Sequence, residues 1–259
     1  MIQTENDIKK YTVADYSAPV IAIKGLYKSF GKNTDILKGV DLTVKKGENL
    51  VVLGKSGSGK SVLIKCIIGL LEPDEGIIEV FGQKVDELNI DELDKLRAKI
   101  GFLFQSNALY DSMTVREKLE FPLRRHWMNV EQREVNNMVI EALTNVGLEH
   151  TIDMMPVELS GGMRKRIALA RTLMLRPEII LYDEPTTGLD PITGREIGDL
   201  MLEIKEKYNT SSIIISHDMK CIKLTSDRIV VLMDGKCYAV GTYAELERSG
   251  DKQVKQFFE

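Results

Sequence analysis

From Val20 the chain sets short β-branched runs between glycines and turn residues, a pattern that predicts strands at Val20–Ile23, Asn49–Leu53 and Ile77–Phe81. Lys99–Phe104 reads the same way. Beyond it the period changes: Val115 to Leu148 is rich in charge, and Val135, Met138, Val139 and Ala142 recur on one helical stripe, which predicts a helical insertion. Strand character returns at Glu178–Tyr182 and Ser211–Ser216, with a helical Arg195–Tyr208 between them. Strands alternating with helices imply a parallel sheet. Arg228–Met233 and Lys236–Val240 flank Asp234-Gly235, a hairpin signal because glycine tolerates positive φ, and amphipathic helices follow from Tyr243.

Composition narrows the class. A chain of 259 residues, 43% hydrophobic and 29% charged, has the balance of a globular protein with its own core. A formal net charge of -4 supplies no global positive field, which argues against nucleic acid as the main partner. The apolar stretch Val62–Leu71 is broken by Lys65 and falls short of the ~20 residues a bilayer-spanning helix requires, so any membrane role implies a partner that spans it. Met1–Tyr16 lacks the basic-then-apolar order of a secretion signal, and we expect a flexible tail over 1–18, one domain over 19–259 and a cytoplasmic location. Cys66, Cys221 and Cys237 are odd in number and show no close metal or redox spacing, so buried packing is expected. The short basic runs Arg124-Arg125-His126 and Arg164-Lys165-Arg166 read as solvated or interface-facing helix surface.

The chemistry concentrates in a few segments. Gly54-Lys55-Ser56-Gly57-Ser58-Gly59-Lys60-Ser61 follows one predicted strand and opens a helix at Val62, the context that a phosphate-binding loop needs. Its glycines permit a tight turn whose N–H groups point inward, the helix start adds partial positive charge, and Lys60 adds a full one. Gly54, Ser56, Gly57, Ser58, Gly59, Lys60, Ser61 and Val62 are therefore candidates to hold a nucleotide's phosphates, and Ser61 has a hydroxyl to offer Mg²⁺. Ile179–Glu184 is an apolar strand ending in two carboxylates. Asp183 is expected to hold Mg²⁺ through water, and Glu184 to orient the attacking water as general base. Leu159-Ser160-Gly161-Gly162-Met163 precedes a helix with Ile167, Ala170, Leu173 and Met174 on its apolar stripe, a second phosphate-binding helix start.

A phosphate loop, a Ser-Gly-Gly turn and an Asp-Glu strand in this order resemble the ATP-binding-cassette (ABC) family along nearly the whole chain. The resemblance implies an α/β P-loop NTPase fold. That fold has a mainly parallel core sheet, an antiparallel β portion and a helical subdomain at about 106–170 inserted in a RecA-like core. It further implies that Gln105 is the Q-loop glutamine and a ligand of Mg²⁺ or water, that Gly188-Leu189-Asp190-Pro191 is the D-loop, that His217 is the switch histidine and that Phe30 stacks on adenine. Taken singly, His217 and Phe30 read as structural. Lys60, Gln105, Glu184 and His217 are the expected catalytic set. Ser160, Gly161 and Gly162 would close over ATP held by the other copy of a homodimer.

Finer likeness points to the Mla-type ATPases of phospholipid transport. Ser61-Val62 with Ile64–Leu70, Leu103–Leu109, Ser160–Arg164 and Val254–Phe258 are similar to that subgroup, and Met163 stands where many ABC ATPases carry glutamine. The implied partners are an integral-membrane permease, an MCE-type lipid-binding subunit and a small accessory protein, on the inner face of the cytoplasmic membrane. An amino-acid or other small-solute importer is the alternative.

Overall fold

The computed structural model describes residues 19–31, 34–105, 112–126 and 131–259. The expected tail over 1–18, residues 106–109 of the Leu103–Leu109 likeness, and the side chains of Arg125 and His126 lie outside them.

The chain first builds an antiparallel layer. Strand β1 (Ile21–Ser29) pairs with β2 (Asp35–Val44) and with β4 (Glu75–Val80), and β5 (Gln83–Lys84) extends the order to β2-β1-β4-β5. In β2 the residues Leu37, Val40, Leu42 and Val44 are buried and the intervening positions are more exposed, the one-sided pattern of an antiparallel strand. Lys28 and Ser29 both bond Asp74, which lashes the end of β1 to the turn before β4; the Lys28 ammonium at 2.7 Å, with the Ser29 hydroxyl and amide, holds that carboxyl well below its ordinary value, at about 2.

The second layer is a 6-stranded sheet of order β10-β9-β3-β8-β7-β6. Strands β3 (Asn49–Leu53), β6 (Ile100–Leu103), β7 (Ile179–Asp183), β8 (Ser211–Ile215) and β9 (Arg228–Met233) pair in parallel; β10 (Lys236–Gly241) returns antiparallel at the edge. Every residue of β3 and β8 is buried, as parallel strands covered on both faces must be. Their side chains alternate between two cores: Val51, Leu53, Ile180, Tyr182 and Ile214 on one face, Leu50, Val52, Ile179, Leu181 and Ile213 on the other.

Helices cover the sheet. Helix α1 (Lys60–Ile67) follows β3, and α2 (Ile90–Ala98), closed by an Asn89–Glu92 capping box, precedes β6. The predicted helical stretch from Val115 is two helices, α3 (Val115–His126) and α4 (Gln132–Thr144). They pack with α5 (Gly161–Leu173), whose predicted stripe Ile167, Ala170, Leu173 and Met174 is buried. Helix α6 (Pro191–Tyr208) starts four residues ahead of its predicted beginning because Asp190 caps it and Pro191 occupies its first position. Helix α7 (Met219–Thr225) follows β8, and α8 (Tyr243–Glu247) and α9 (Lys252–Lys255) end the chain.

The elements β2, α2 and α7 go beyond the hydrophobic pattern. Among α2 residues only Leu96 is buried, so the helix carries almost no apolar stripe and rests on its cap. The three cysteines are free, with Cys66 and Cys221 buried and Cys237 half-buried; burial pushes the Cys66 thiol up to about 11 and the Cys221 thiol up to about 12.

The predicted hairpin turn holds Asp234 at φ 49° and Gly235 at φ 79°, and a Cβ on Gly235 would sit 2.5 Å from the Ile36 carbonyl oxygen. Gly235→Ala is expected to lower the unfolding free energy by about 2 kcal/mol in urea denaturation. Asp234→Asn, which keeps a residue tolerant of left-handed backbone, should change it by less than about 0.5 kcal/mol.

Candidate functional site

Parallel pairing decides where the functional loops go. Val52 and Asp183 both stand level with Ile215, and Leu103 stands level with Tyr182, so four strands end together. The segments leaving those ends carry Gly54–Ser61, Gln105, Asp183-Glu184 and His217, at the carboxyl edge where open α/β sheets bind ligands. They line one cavity of about 680 Å³, walled by Gly54, Lys55, Ser56, Gly57, Gly59, Lys60, Ser61, Val62, Gln105, Asp183, Glu184 and His217 together with Ile36, Met219 and Phe257.

The loop is shaped for an anion. Helix α1 has no side-chain cap and no acidic residue in its first turn, which leaves its first N–H groups and the positive end of its dipole for an external ligand. Gly59 holds φ 101° with no room for a Cβ, which would meet Leu37 at 2.8 Å. The Lys60 ammonium bends back to the carbonyls of Gly54 at 2.7 Å and Lys55 at 2.9 Å. Burial depresses its pKa while Glu184 and Asp183 pull it back up. Within the loop, the Ser58 Oγ is buried without a hydrogen-bond partner among the described residues. Volume, donors and a desolvated cation fit a nucleoside triphosphate.

Across the cavity Asp183 has its pKa raised by burial and by the neighbouring Glu184, against the lowering pull of Lys60, Lys65 and Lys165. Glu184 sits in left-handed backbone at φ 52°, a costly conformation for a residue with a Cβ. Its Oε2 lies 2.8 Å from His217 Nδ1 and accepts from the Thr187 hydroxyl at 3.0 Å. Next to His217, Asp218 caps α7 and accepts from Thr186 at 3.0 Å. Ser61, Gln105 and Asp183 bring oxygen donors to the same cavity, a set that suits Mg²⁺ completed by phosphates and water. Among the described residues no cluster of three His, Cys, Asp or Glu is placed to hold a metal ion.

Two expected contributors stand apart. Phe30, 49% exposed, lies beyond the cavity wall beneath the Lys28 ammonium, 5.6 Å from its ring centre. Ser160 caps α5 through Met163 N at 3.2 Å, and Ser160, Gly161 and Gly162 do not line the cavity. One predicted surface is corrected: in the run Arg164-Lys165-Arg166, Lys165 is only 2% exposed and donates inward to the carbonyls of Gln105 at 3.2 Å and Glu184 at 3.4 Å. Arg164 turns back to the Leu159 carbonyl at 2.6 Å and Arg166 pairs with Glu196 at 2.5 Å. The sequence pattern also missed Thr187 and Phe257.

This is the site of an ATPase cassette, and the chain belongs to the ABC transporter family: the family model described as ABC transporter matches residues 37–187. Its relatives differ in what their names say they carry. The "Probable ribonucleotide transport ATP-binding protein mkl" of Mycobacterium tuberculosis is 39% identical over 92% of this chain, which spans 66% of that relative. The "Intermembrane phospholipid transport system ATP-binding protein MlaF" of Haemophilus influenzae is 38% identical over 92% of this chain and 89% of the relative. "Methionine import ATP-binding protein MetN 1" of Acinetobacter baylyi is 37% identical over 88% of this chain and 64% of the relative. Among solved structures, the dimeric post-hydrolysis state of the ATP-binding cassette MJ0796 bound to ADP and Pi superposes with a TM-score of 0.78 at 34% identity, over 86% of this chain and 98% of that one. No helix among the described residues is long and apolar enough to cross a membrane.

Lys60→Ala removes the loop's half-buried positive charge and leaves only the exposed Lys55. Nucleotide affinity, read by titration with a fluorescent ATP analogue, is expected to fall at least about 10-fold, the cost of a lost hydrogen-bonded charge.

Proposed function

We propose that this chain is the ATP-hydrolysing subunit of a bacterial ABC transporter, working as a homodimer on the inner face of the cytoplasmic membrane to drive a separate permease that moves phospholipid between membranes. The observation that carries the catalytic half is the convergence of Lys60, Gln105, Asp183, Glu184 and His217 on one cavity, with Glu184 held at 2.8 Å by His217.

In this reading Lys60 and the loop amides from Gly54 to Val62 hold the β- and γ-phosphates of ATP, and Phe30 stacks on adenine. Ser61, Gln105 and, through water, Asp183 would hold Mg²⁺, and the ion would offset charge on the phosphate oxygens. Glu184 accepts a proton from water as that oxygen attacks the γ-phosphorus and the bond to the ADP oxygen breaks. His217 and Thr187 keep the carboxylate aimed, and His217 donates to the γ-phosphate once ATP is in place. The Ser160 turn, which does not line its own cavity and is exposed at a helix start, closes over ATP bound to the partner copy. The helical insertion at about 106–170 carries that motion to the permease, with an MCE-type lipid-binding subunit and a small accessory protein completing the complex. An apolar groove of about 530 Å³ between the sheet and α3, lined by Leu70, Phe102, Phe104, Phe121 and Leu175, suits a cytoplasmic permease loop.

Likeness to the phospholipid-transport relative over 89% of its length, with Met163 in the Ser160 turn, supports the lipid. The methionine-import relative supports the second reading, an amino-acid importer.

Glu184→Gln should leave ATP binding intact and slow turnover roughly 10²-fold or more, the contribution of a positioned base, measured by phosphate release; near-normal turnover would remove Glu184 from the base role. The transport assignment is tested by purifying the native complex and identifying its contents. Co-purified phospholipid, a lipid-binding subunit and ATP turnover stimulated by phospholipid are expected, whereas a soluble amino-acid-binding partner would install the importer reading.

A further inference from the structure

Burying a lysine without a carboxylate partner is expensive, and chains keep such a group where its hydrogen bonds are needed. Lys165 is such a group. It is 2% exposed on α5, and its ammonium reaches two backbone carbonyls that belong to different loops: that of Gln105, beyond β6, and that of Glu184, beyond β7. Both loops end in the cavity. The Glu184 carbonyl also accepts from Thr187 N at 3.3 Å, and the Glu184 amide donates to Ile215 O at 2.9 Å, so the left-handed φ of 52° is held from both sides. Burial pushes the Lys165 pKa down, while Asp183 and Glu184 pull it up, so these carboxylates favour the charged form.

The position of Lys165 on its helix adds the consequence. Helix α5 begins at the Ser160 cap, and Lys165 lies five residues on, little more than one turn. Its neighbours Ile167, Ala168, Leu169 and Ala170 are fully buried, so the helix moves as a rod rather than bending locally. A rod touching the partner's nucleotide at one end and gripping two catalytic loops of its own subunit a turn later has the geometry of a mechanical link.

We propose that Lys165 is a positioning residue that couples the two nucleotide sites of the dimer, transmitting engagement of the Ser160 turn by the partner's ATP to Gln105 and Glu184 of its own subunit. The proposal rests on the shared-site reading given above.

Its test uses the full chain and three measurements: ATP turnover against ATP concentration, binding of a fluorescent ATP analogue, and ATP-induced dimer formation in a Glu184→Gln background by light scattering. Lys165→Met keeps the length and removes the donors. It is expected to lower kcat roughly 10²-fold, as misplacement of catalytic groups does. The Hill coefficient should fall from above 1 to 1, analogue affinity should change less than about 2-fold, and the double variant should still dimerise with ATP. Lys165→Arg, which retains a cation with several donors, should recover cooperativity. Wild-type kcat and Hill coefficient in Lys165→Met overturn the proposal, and so does a fall in kcat with cooperativity intact. Should the apolar variant not fold, Lys165→Gln decides: one amide serves one carbonyl poorly in place of two, and wild-type cooperativity in a folded Lys165→Gln overturns the link. Absence of ATP-driven dimers in the Glu184→Gln parent, with Lys165 untouched, overturns the shared-site reading and the link with it.

Discussion

Parallel strand pairing is the constraint on which the rest of this structure depends. Because β3, β8, β7 and β6 run the same way and stand in register, each chain segment leaving the sheet emerges at one edge. In a sheet packed on both faces each residue belongs to one of two cores, Val51 and Leu53 to one and Leu50 and Val52 to the other, and a one-residue shift would exchange them and disturb the packing of both. The apolar strands therefore act on the chemistry at a distance: they bring the phosphate loop, two carboxylates, a glutamine and a histidine to one rim.

Electrostatics completes what register begins. Burial disfavours the charge on Lys60, Lys165 and Asp183 around the same rim, and the opposite charges beside each restore part of it. The resulting site spends its hydrogen bonds on itself, with Lys60 on loop carbonyls and Glu184 on His217 and Thr187. Phosphate oxygens offer Lys60 better acceptors than carbonyls do, since charge-assisted hydrogen bonds are the stronger kind. A phosphate group in the cavity would therefore meet donors already gathered, with Lys60 exchanging its carbonyl partners for phosphate oxygens.

The left-handed backbone at Glu184 links strain with function. Such a residue persists only when its surroundings over-determine it, and here a β-strand carbonyl, a following amide and a buried ammonium all bond its peptide groups. The same ammonium holds Gln105, so two loops that sequence separates widely share one anchor on α5.

Much of this was legible along the chain, because local chemistry carries its own spacing. The phosphate loop, the Asp183-Glu184 strand end, the Ser160 cap and the Asp234-Gly235 turn are each written in consecutive residues, and the period of the hydrophobic pattern separates the strands from the helices. Strand β2 and helix α2 were harder to read, since one has a single buried face interrupted by Gly39 and the other has hardly any. What only the tertiary structure decided is which side of a helix a charge faces and which distant groups it meets. Lys165 sits in a basic run whose composition suggests solvent, yet packing turns it inward to Gln105 and Glu184 while its neighbours Arg164 and Arg166 bond at the helix surface. Sequence specifies a residue's type and its local period; the direction of a side chain relative to a core is a property of the assembled layers, and only those layers distinguish a solvated lysine from a buried one.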